Sequence, residues 1–237
     1  IDVRLELIDL HGNNIRIEIP VMGTLNEAIV KKTLFKTPFP VLFKNPAHYK
    51  LTHGSLYFPA NSFYEDVYLN LETSRDTIKV HKPMWAVKKP FTLSFNSENS
   101  AFSKYSYIAY RLGSKSFIYS STKKEGEWLS TKTNKLGTYV IQQDSIPPSI
   151  RPKNFKGNQN IRNYQFLSLE IKDQETGIDT YTGSLNGEWI LMEYEPKTNT
   201  LTHHIGARTK LKKNNELKIE VVDMLGNTQV YTTLLLL

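Results

Sequence analysis

Residues 216–227 read ELKIEVVDMLGN, and residues 3–13 read VRLELIDLHGN. In both stretches apolar side chains alternate with charged ones and then meet an Asp-x-x-Gly-Asn turn, at 223–227 and at 9–13. A β-rich stretch follows each turn, although Gln229 stands where the first copy has Ile15. Period-two alternation on both sides of a Gly/Asn turn predicts a β-hairpin. The sequence therefore predicts the same hairpin near each end.

The two copies differ in what comes before them. The second closes a long β-rich stretch, whereas only two residues precede the first. We expect the first hairpin to be the last part of a module whose opening strands are missing, and the chain to be a piece of a larger modular protein.

Strand-like alternation continues through the rest of the chain. Residues 67–71, 91–95 and 167–171 alternate in this way, and turn residues separate them at 61–62, 113–114, 186–187 and 198–199. The best helical candidate, 25–32, spans two turns at most. Short strands separated by turns indicate antiparallel sandwiches. The predicted fold class is all-β: tandem antiparallel immunoglobulin-like β-sandwiches, the first represented only by its last hairpin.

The clearest boundary is the segment DSIPPSIRP at residues 144–152. Its prolines lack the amide hydrogens that a central strand needs, so we expect a stiff connection or a sheet edge. A weaker boundary follows Gly23. We predict a terminal hairpin at 1–23, a basic middle β-sandwich at 24–145 and a C-terminal sandwich at 146–237. The apolar end 234–237 is predicted to be a final strand.

The positive charge lies mainly in the middle. The chain has a formal net charge of +7, and residues 24–145 hold 17 Lys/Arg against 9 Asp/Glu. Such a module favours anionic partners, although scattered lysines also fit a solvated face. With no cysteine, disulfides, thiolate metal sites and thiol catalysis are excluded. No apolar run approaches the ~20 residues of a membrane helix, so no transmembrane segment is predicted.

No residue pattern in the sequence indicates catalysis. It contains neither a Gly-x-Ser-x-Gly elbow nor a phosphate-binding glycine-rich loop. Its histidines include no i, i+4 pair and no His-x-His. His203 and His204 should point to opposite faces of a strand. Asp173, Glu175 and Asp179 could surround calcium, but a polar turn bending at Gly177 explains them better. We predict no catalytic residue, no metal and no cofactor.

Aromatic and basic side chains are the remaining functional candidates. Exposed rings can stack on sugars, although core packing accounts for most aromatics. Trp189 begins a strand after the turn at 186–187, which favours a structural role. Trp128 follows a polar loop and is the better candidate for exposure. The predicted glycan or partner contacts are Trp128, Tyr105, Tyr107, Tyr110, Lys88, Lys89, Lys123 and Lys124.

Several motifs together carry a family resemblance. They include Asp144-x-x-Pro-Pro-x-Ile150, Asn186-Gly-x-Trp-Ile-Leu-Met-Glu-Tyr194, Asp223-x-x-Gly-Asn227 and, in the middle, Tyr119-Ser-Ser-Thr-Lys-Lys124 and Leu136-Gly-Thr-Tyr139. This pattern resembles the non-catalytic β-sandwich region that follows the peptidase domain in bacterial envelope zinc endopeptidases of the lysostaphin/LytM type. Those enzymes cleave the peptide crosslinks of peptidoglycan.

The resemblance brings no catalytic residue with it. Lysostaphin-type sites hold zinc with a His-x-x-x-Asp and a His-x-His motif, and this chain has neither. The resemblance implies a non-catalytic scaffold or interaction region of a murein metalloendopeptidase-like protein, in the periplasm or at the outer membrane. The expected partner is peptidoglycan, another anionic envelope polymer or an envelope protein complex, and no nucleic acid. The alternatives are a carbohydrate-binding module that uses exposed aromatics and a hidden metalloenzyme.

Overall fold

The computed structural model describes residues 1–23, 37–97, 102–206 and 209–237. The chain forms two compact units, Ile1–Phe35 and Lys36–Leu237. All regular structure in the described ranges is β, so the predicted all-β class is confirmed. The predicted short helix at 25–32 and the weaker boundary after Gly23 fall largely outside the described residues. In these ranges no helix is long and apolar enough to cross a membrane.

The first unit contains the N-terminal hairpin, formed by β1 (Asp2–Ile8) and β2 (Asn14–Pro20). Antiparallel pairing sets Val3 opposite Ile19 and Leu5 opposite Ile17, which places the apolar side chains on one face. In the turn, one carboxylate oxygen of Asp9 accepts the N–H groups of residues 11 and 13, both at 2.9 Å. The hydrogen bond from the Asn13 side-chain amide contributes most to lowering the pKa of Asp9, and these backbone bonds add to it. The predicted first hairpin is confirmed.

The middle sandwich holds the next twelve strands. They are β3 (Phe39–Val41), β4 (Ala47–Leu51), β5 (Gly54–Phe58), β6 (Val67–Leu69), β7 (Leu71–Ser74), β8 (Thr77–Val80), β9 (Phe91–Asn96), β10 (Ser106–Leu112), β11 (Ser116–Ser120), β12 (Lys123–Glu125), β13 (Trp128–Thr133) and β14 (Gly137–Gln143). Two five-stranded antiparallel sheets result, in the orders β11-β10-β14-β8-β7 and β12-β13-β9-β5-β4, and β3 pairs with β6.

The core of the middle sandwich lies between its two sheets. Alternate residues of the central strands point inward, as in β9, where Phe91, Leu93 and Phe95 are buried and the residues between them are partly exposed. Phe58 stacks on Phe91 with ring centroids 4.8 Å apart. The period-two pattern of the sequence therefore marks the inward face of strands such as β5 and β9.

The C-terminal sandwich holds the remaining strands. They are β15 (Ser149–Pro152), β16 (Gln159–Asn160), β17 (Phe166–Lys172), β18 (Ile178–Leu185), β19 (Glu188–Ile190), β20 (Glu193–Glu195), β21 (Thr200–His204), β22 (Asn214–Asp223) and β23 (Thr228–Leu236). One sheet has the order β15-β17-β21-β20 and the other β16-β23-β22-β18-β19. All these pairs are antiparallel except β16 with β23.

Several local predictions for this half are confirmed. The proline-rich segment leads into β15, which lies at a sheet edge where missing amide hydrogens cost no ladder bond. The second copy of the hairpin is β22 and β23, and its Leu217, Ile219 and Val221 are fully buried in the core. The chain end is the predicted final strand, with Leu235 buried.

Candidate functional site

The two sandwiches meet around one buried aspartate, Asp144, which follows β14 and is 2% exposed. Its backbone carbonyl accepts a hydrogen bond from the Asn227 side-chain amide at 3.0 Å. One carboxylate oxygen accepts the hydroxyl hydrogen of Thr176 at 2.9 Å, and the other accepts the Ile146 N–H at 3.0 Å. Asp144 thus ends the middle sandwich and bonds to two loops of the C-terminal sandwich. We call this contact region the junction.

Each of those two loops is shaped by its own aspartate. In the turn at 173–177, one carboxylate oxygen of Asp173 accepts the N–H groups of residues 175, 176 and 177 at 2.8–3.0 Å. Gly177 sits at φ +89°, a conformation that glycine adopts without strain. The polar turn predicted at Gly177 is therefore confirmed.

In the hairpin turn, Asp223 accepts the N–H groups of Leu225 and Asn227, each at 2.8 Å. Asp9 makes the same pattern in the first hairpin, which confirms that the two turns are structural repeats. Only in the second copy does the structure show the asparagine amide bonding beyond its own turn, to Asp144. A repeated turn motif is thus used here as a connector between sandwiches.

Apolar side chains complete the junction. Leu225 packs against a small cluster on the outer side of the middle sandwich formed by Tyr107, Ala109 and Val140. The Tyr107 hydroxyl donates to a carboxylate oxygen of Glu175 at 3.3 Å. Burial, followed by the nearby charge of Glu175, raises the pKa of Tyr107, which further favours the protonated phenol that donates this bond.

The junction also gathers acidic groups. Oxygens of Asp144, Asp173 and Asp223 lie within 4.8 Å of one another, a spacing that could hold a hard cation. Each carboxylate already accepts N–H or O–H bonds from the chain, which offset its charge without an ion. Of the trio considered from the sequence, Asp173 alone belongs to this group; the other two acids are not part of it.

The predicted contact residues do not form one surface. Tyr107 is 3% exposed inside the junction, so predicting it as a glycan or partner contact was wrong. Tyr110 is half-buried, with its hydroxyl donating to the Leu136 carbonyl at 3.2 Å and its ring against Tyr139. Tyr105 is half-buried with the Lys104 ammonium 4.6 Å from its ring centre.

The predicted lysines are exposed, but two of them are engaged within the chain. Lys124 donates to the carbonyls of residues 103 and 104, and partial burial lowers its pKa. Lys123 pairs with Glu125. The Lys88 ammonium lies 5.4 Å from the ring centre of Tyr64, and Lys89 is exposed beside it.

The predicted exposure of the tryptophans was partly wrong. Trp128 is exposed at 39%, as expected, and lines an open groove of about 480 Å³ on the outer face of its sheet. Trp189 is 69% exposed, so its predicted structural role was wrong. It lines a groove of about 620 Å³ with Leu191 and His204. Prediction from the sequence missed Tyr57, which is 46% exposed and lies on the same sheet as Trp128. Its position between the inward-facing Leu56 and Phe58 is a signal that its ring points outward.

The histidines are dispersed. His203 is buried, with its Nδ1 2.9 Å from the Leu191 carbonyl, and His204 is exposed, which confirms that they point to opposite faces. His81 stacks on Trp85 with ring centroids 4.4 Å apart. The His81 Nδ1 accepts the Asn70 N–H at 3.0 Å, while its buried Nε2 has no partner among the described residues. Desolvation, with Lys82 and Lys79 nearby, lowers the pKa of His81.

One comparison with known proteins gives a match. Residues 41–144 match the model of the Zu5-like domain family. The match begins at Val41, the last residue of β3, and runs to Asp144 at the junction. No curated protein matches the chain. The fold is thus all-β with sandwich-like sheets, its middle part is similar to a Zu5-like domain, and the match names a domain, not an activity.

Proposed function

We propose that this chain is a non-catalytic scaffold and interaction region of a murein-endopeptidase-like protein of the bacterial cell envelope. In this role it positions its parent protein on peptidoglycan, or docks it to an envelope complex, and carries no reaction of its own. The resemblance of the C-terminal half to the region behind lysostaphin/LytM-type peptidase domains supports the setting. The lack of both zinc-ligand motifs from the sequence supports the non-catalytic role.

The observation that carries the scaffold role is the junction. A flexible tether would leave the two sandwiches joined by a solvated linker, whereas here Asp144 is buried and bonded to both turns of the C-terminal sandwich that face it. Buried hydrogen bonds and the Leu225 contact oppose hinge motion, because opening would leave polar groups without partners. A joint of this kind suits a spacer that must hold a fixed geometry.

The test uses the purified chain with isolated sacculi and with soluble crosslinked muropeptides. We expect the chain to co-sediment with sacculi and to release no new fragments over prolonged incubation. A lysostaphin-type enzyme with its zinc serves as the positive control for cleavage. Turnover of the crosslinks by this chain would refute the proposal, and metal analysis of the same sample would then test the metalloenzyme alternative.

A second candidate function is a carbohydrate-binding module, favoured by the exposed ring of Trp128 over an open groove. Salt distinguishes it from simple charge attraction. Binding through lysines weakens as ionic strength rises, whereas ring stacking is much less sensitive to salt. Sedimentation with sacculi at low and high salt separates the two contributions.

A further inference from the structure

A row of serines crosses one outer face of the middle sandwich. In the register of the sheet β12-β13-β9-β5-β4, Ser55 lies opposite Ser94, and Ser94 lies opposite Ser130. The same row ends in a lysine on each side, with Lys50 opposite Ser55 and Lys123 opposite Ser130. With strands ~4.8 Å apart, the three serines span about 10 Å, and the whole row from Lys50 to Lys123, which we call the serine row, is about 19 Å long.

Aromatic rings border the serine row on both sides. Two residues along β5 from Ser55, Tyr57 points to the same face, with the ring of His48 6.4 Å from its own. Two residues along β13 from Ser130, in the other direction, Trp128 points outward. By strand spacing and rise, the two rings stand about 17 Å apart across the row. The groove of about 480 Å³ lies against this row and is lined by all three serines, Lys50 and Trp128.

The composition of this face matches sugar chemistry. The small serine side chains leave a shallow floor with hydroxyls that both donate and accept, as sugar hydroxyls require. Exposed Trp and Tyr rings offer flat apolar surfaces for the C–H faces of sugar rings. A protein partner would instead favour a larger apolar centre, which the serine floor lacks.

The charge of this face favours an anionic ligand. Lys50 and Lys123 end the serine row, and Lys132 is exposed on the same face two residues beyond Ser130. Glu125, the acidic residue opposite Trp128, pairs with Lys123. The cations therefore exceed the anions along the path that a ligand would follow, which raises the local concentration of anions.

We propose that the serine row, with Tyr57 and Trp128, is a binding site for an oligosaccharide that carries carboxylate or phosphate groups. This inference rests on the proposed function and names the surface through which the chain contacts an envelope polymer. The glycan lies along the serines, its sugar rings stack on Tyr57 and Trp128, and its charged groups meet Lys50 and Lys132.

The test titrates the full chain with three soluble probes and follows tryptophan fluorescence and calorimetric heat. The probes are uncrosslinked peptidoglycan glycan strands, which carry carboxylates, chitotetraose phosphorylated on its 6-hydroxyls, and the neutral oligosaccharide chitotetraose. We expect one or both anionic probes to bind with an affinity that falls as salt rises, and the neutral probe to bind more weakly. The two anionic probes separate a carboxylate source from a phosphate source.

Matched variants locate the site. Trp128→Ala and Tyr57→Ala should each weaken binding roughly tenfold, because each removes one stacking surface. Trp189→Ala removes a more exposed tryptophan from the other sandwich and should leave binding unchanged. Lys50→Ala should weaken binding and reduce its salt dependence, whereas Lys218→Ala, an exposed lysine on β22, should do neither. Thermal melting checks that each variant is folded.

Ser94→Asp gives an independent check that leaves both rings in place. It puts a negative charge at the centre of the row and should abolish binding of the anionic probes. Unchanged affinity in Trp128→Ala and Ser94→Asp, with sacculi still bound, would overturn this site and leave the proposed function standing. Failure of the unmodified chain to bind sacculi or any probe would overturn both. Binding of single-stranded DNA at the same face, tighter than that of either glycan probe, would also overturn the assignment.

Discussion

The junction makes a prediction that one isosteric substitution can test. Thr176→Val keeps the shape of the side chain but removes the hydroxyl that donates to Asp144 at 2.9 Å. Asp144 is buried, so water cannot replace the lost donor. A hydrogen bond to a charged group contributes about 1.5–3 kcal/mol, and we expect the free energy of unfolding to fall by about that amount.

A second threonine supplies the control. Thr131 is also buried, but its hydroxyl has no hydrogen-bond partner among the described residues. Thr131→Val should therefore leave the free energy of unfolding unchanged or raise it, by about 1–3 kcal/mol at most, because it removes an unsatisfied polar group. The same chemical change is thus expected to lower the free energy of unfolding at Thr176 and not to lower it at Thr131.

Calorimetry and urea denaturation measure both variants against the parent chain. For 150–250 residues, 1 kcal/mol corresponds to about 2–4 °C in Tm, so Thr176→Val should lower Tm by about 3–12 °C. If the junction couples the sandwiches, the loss appears in the unfolding of both. Equal stability of Thr176→Val and the parent chain, or an equal loss in Thr131→Val, would refute the hydrogen-bond account of the junction.

Three further predictions follow from local contacts. The pKa of His81 is lowered in the fold, so the unfolded chain binds the proton more readily and the free energy of unfolding should fall as pH drops below about 6.5. The urea midpoints measured at pH 7.5 and pH 5.5 should therefore differ less in His81→Asn than in the parent chain. Gly137→Ala should lower the free energy of unfolding by about 1–3 kcal/mol, since its Cβ would lie 2.8 Å from the Tyr110 ring. Gly126→Ala, at φ +59° with open space around it, should lower it less when both variants are measured by thermal melting. Leu225→Ala should lower the free energy of unfolding by about 1–2 kcal/mol. It should also speed amide hydrogen exchange in β10 and β22 while leaving β9 protected. An equal change of exchange rate in all strands would contradict a local role of Leu225 at the junction.

Tyr107 shows where prediction from the sequence was limited. Alternation along β10 assigns one side of the strand to the core and the other to solvent. In the structure residues 106–109 are all buried, because the C-terminal sandwich covers the outer side of this strand. A pattern within one strand carries no information about a neighbour 68 residues away, such as the Glu175 that accepts the Tyr107 hydroxyl.

Trp189 and Trp128 show that the exposure of a side chain is also hard to predict from its neighbours in the sequence. Both lie near turns, and their order of exposure was predicted from the flanking residues. Exposure depends on what packs above each ring, which is decided when distant strands come together. The serine row was equally hidden, since its three serines and two lysines lie on five strands from β4 to β13 and meet only through sheet register.

The sequence by itself determined the strands, the turns, the sheet edge after the prolines and the repeated Asp-x-x-Gly-Asn hairpin. Each of these depends on side-chain alternation or on backbone preference within a few residues, which local physics is enough to specify. Only the tertiary structure decided that Asp144 joins two sandwiches, that Tyr107 is buried and that serines, lysines and two rings share one face. Those outcomes depend on which residues far apart in the chain become neighbours, and packing and register settle that when the whole fold forms.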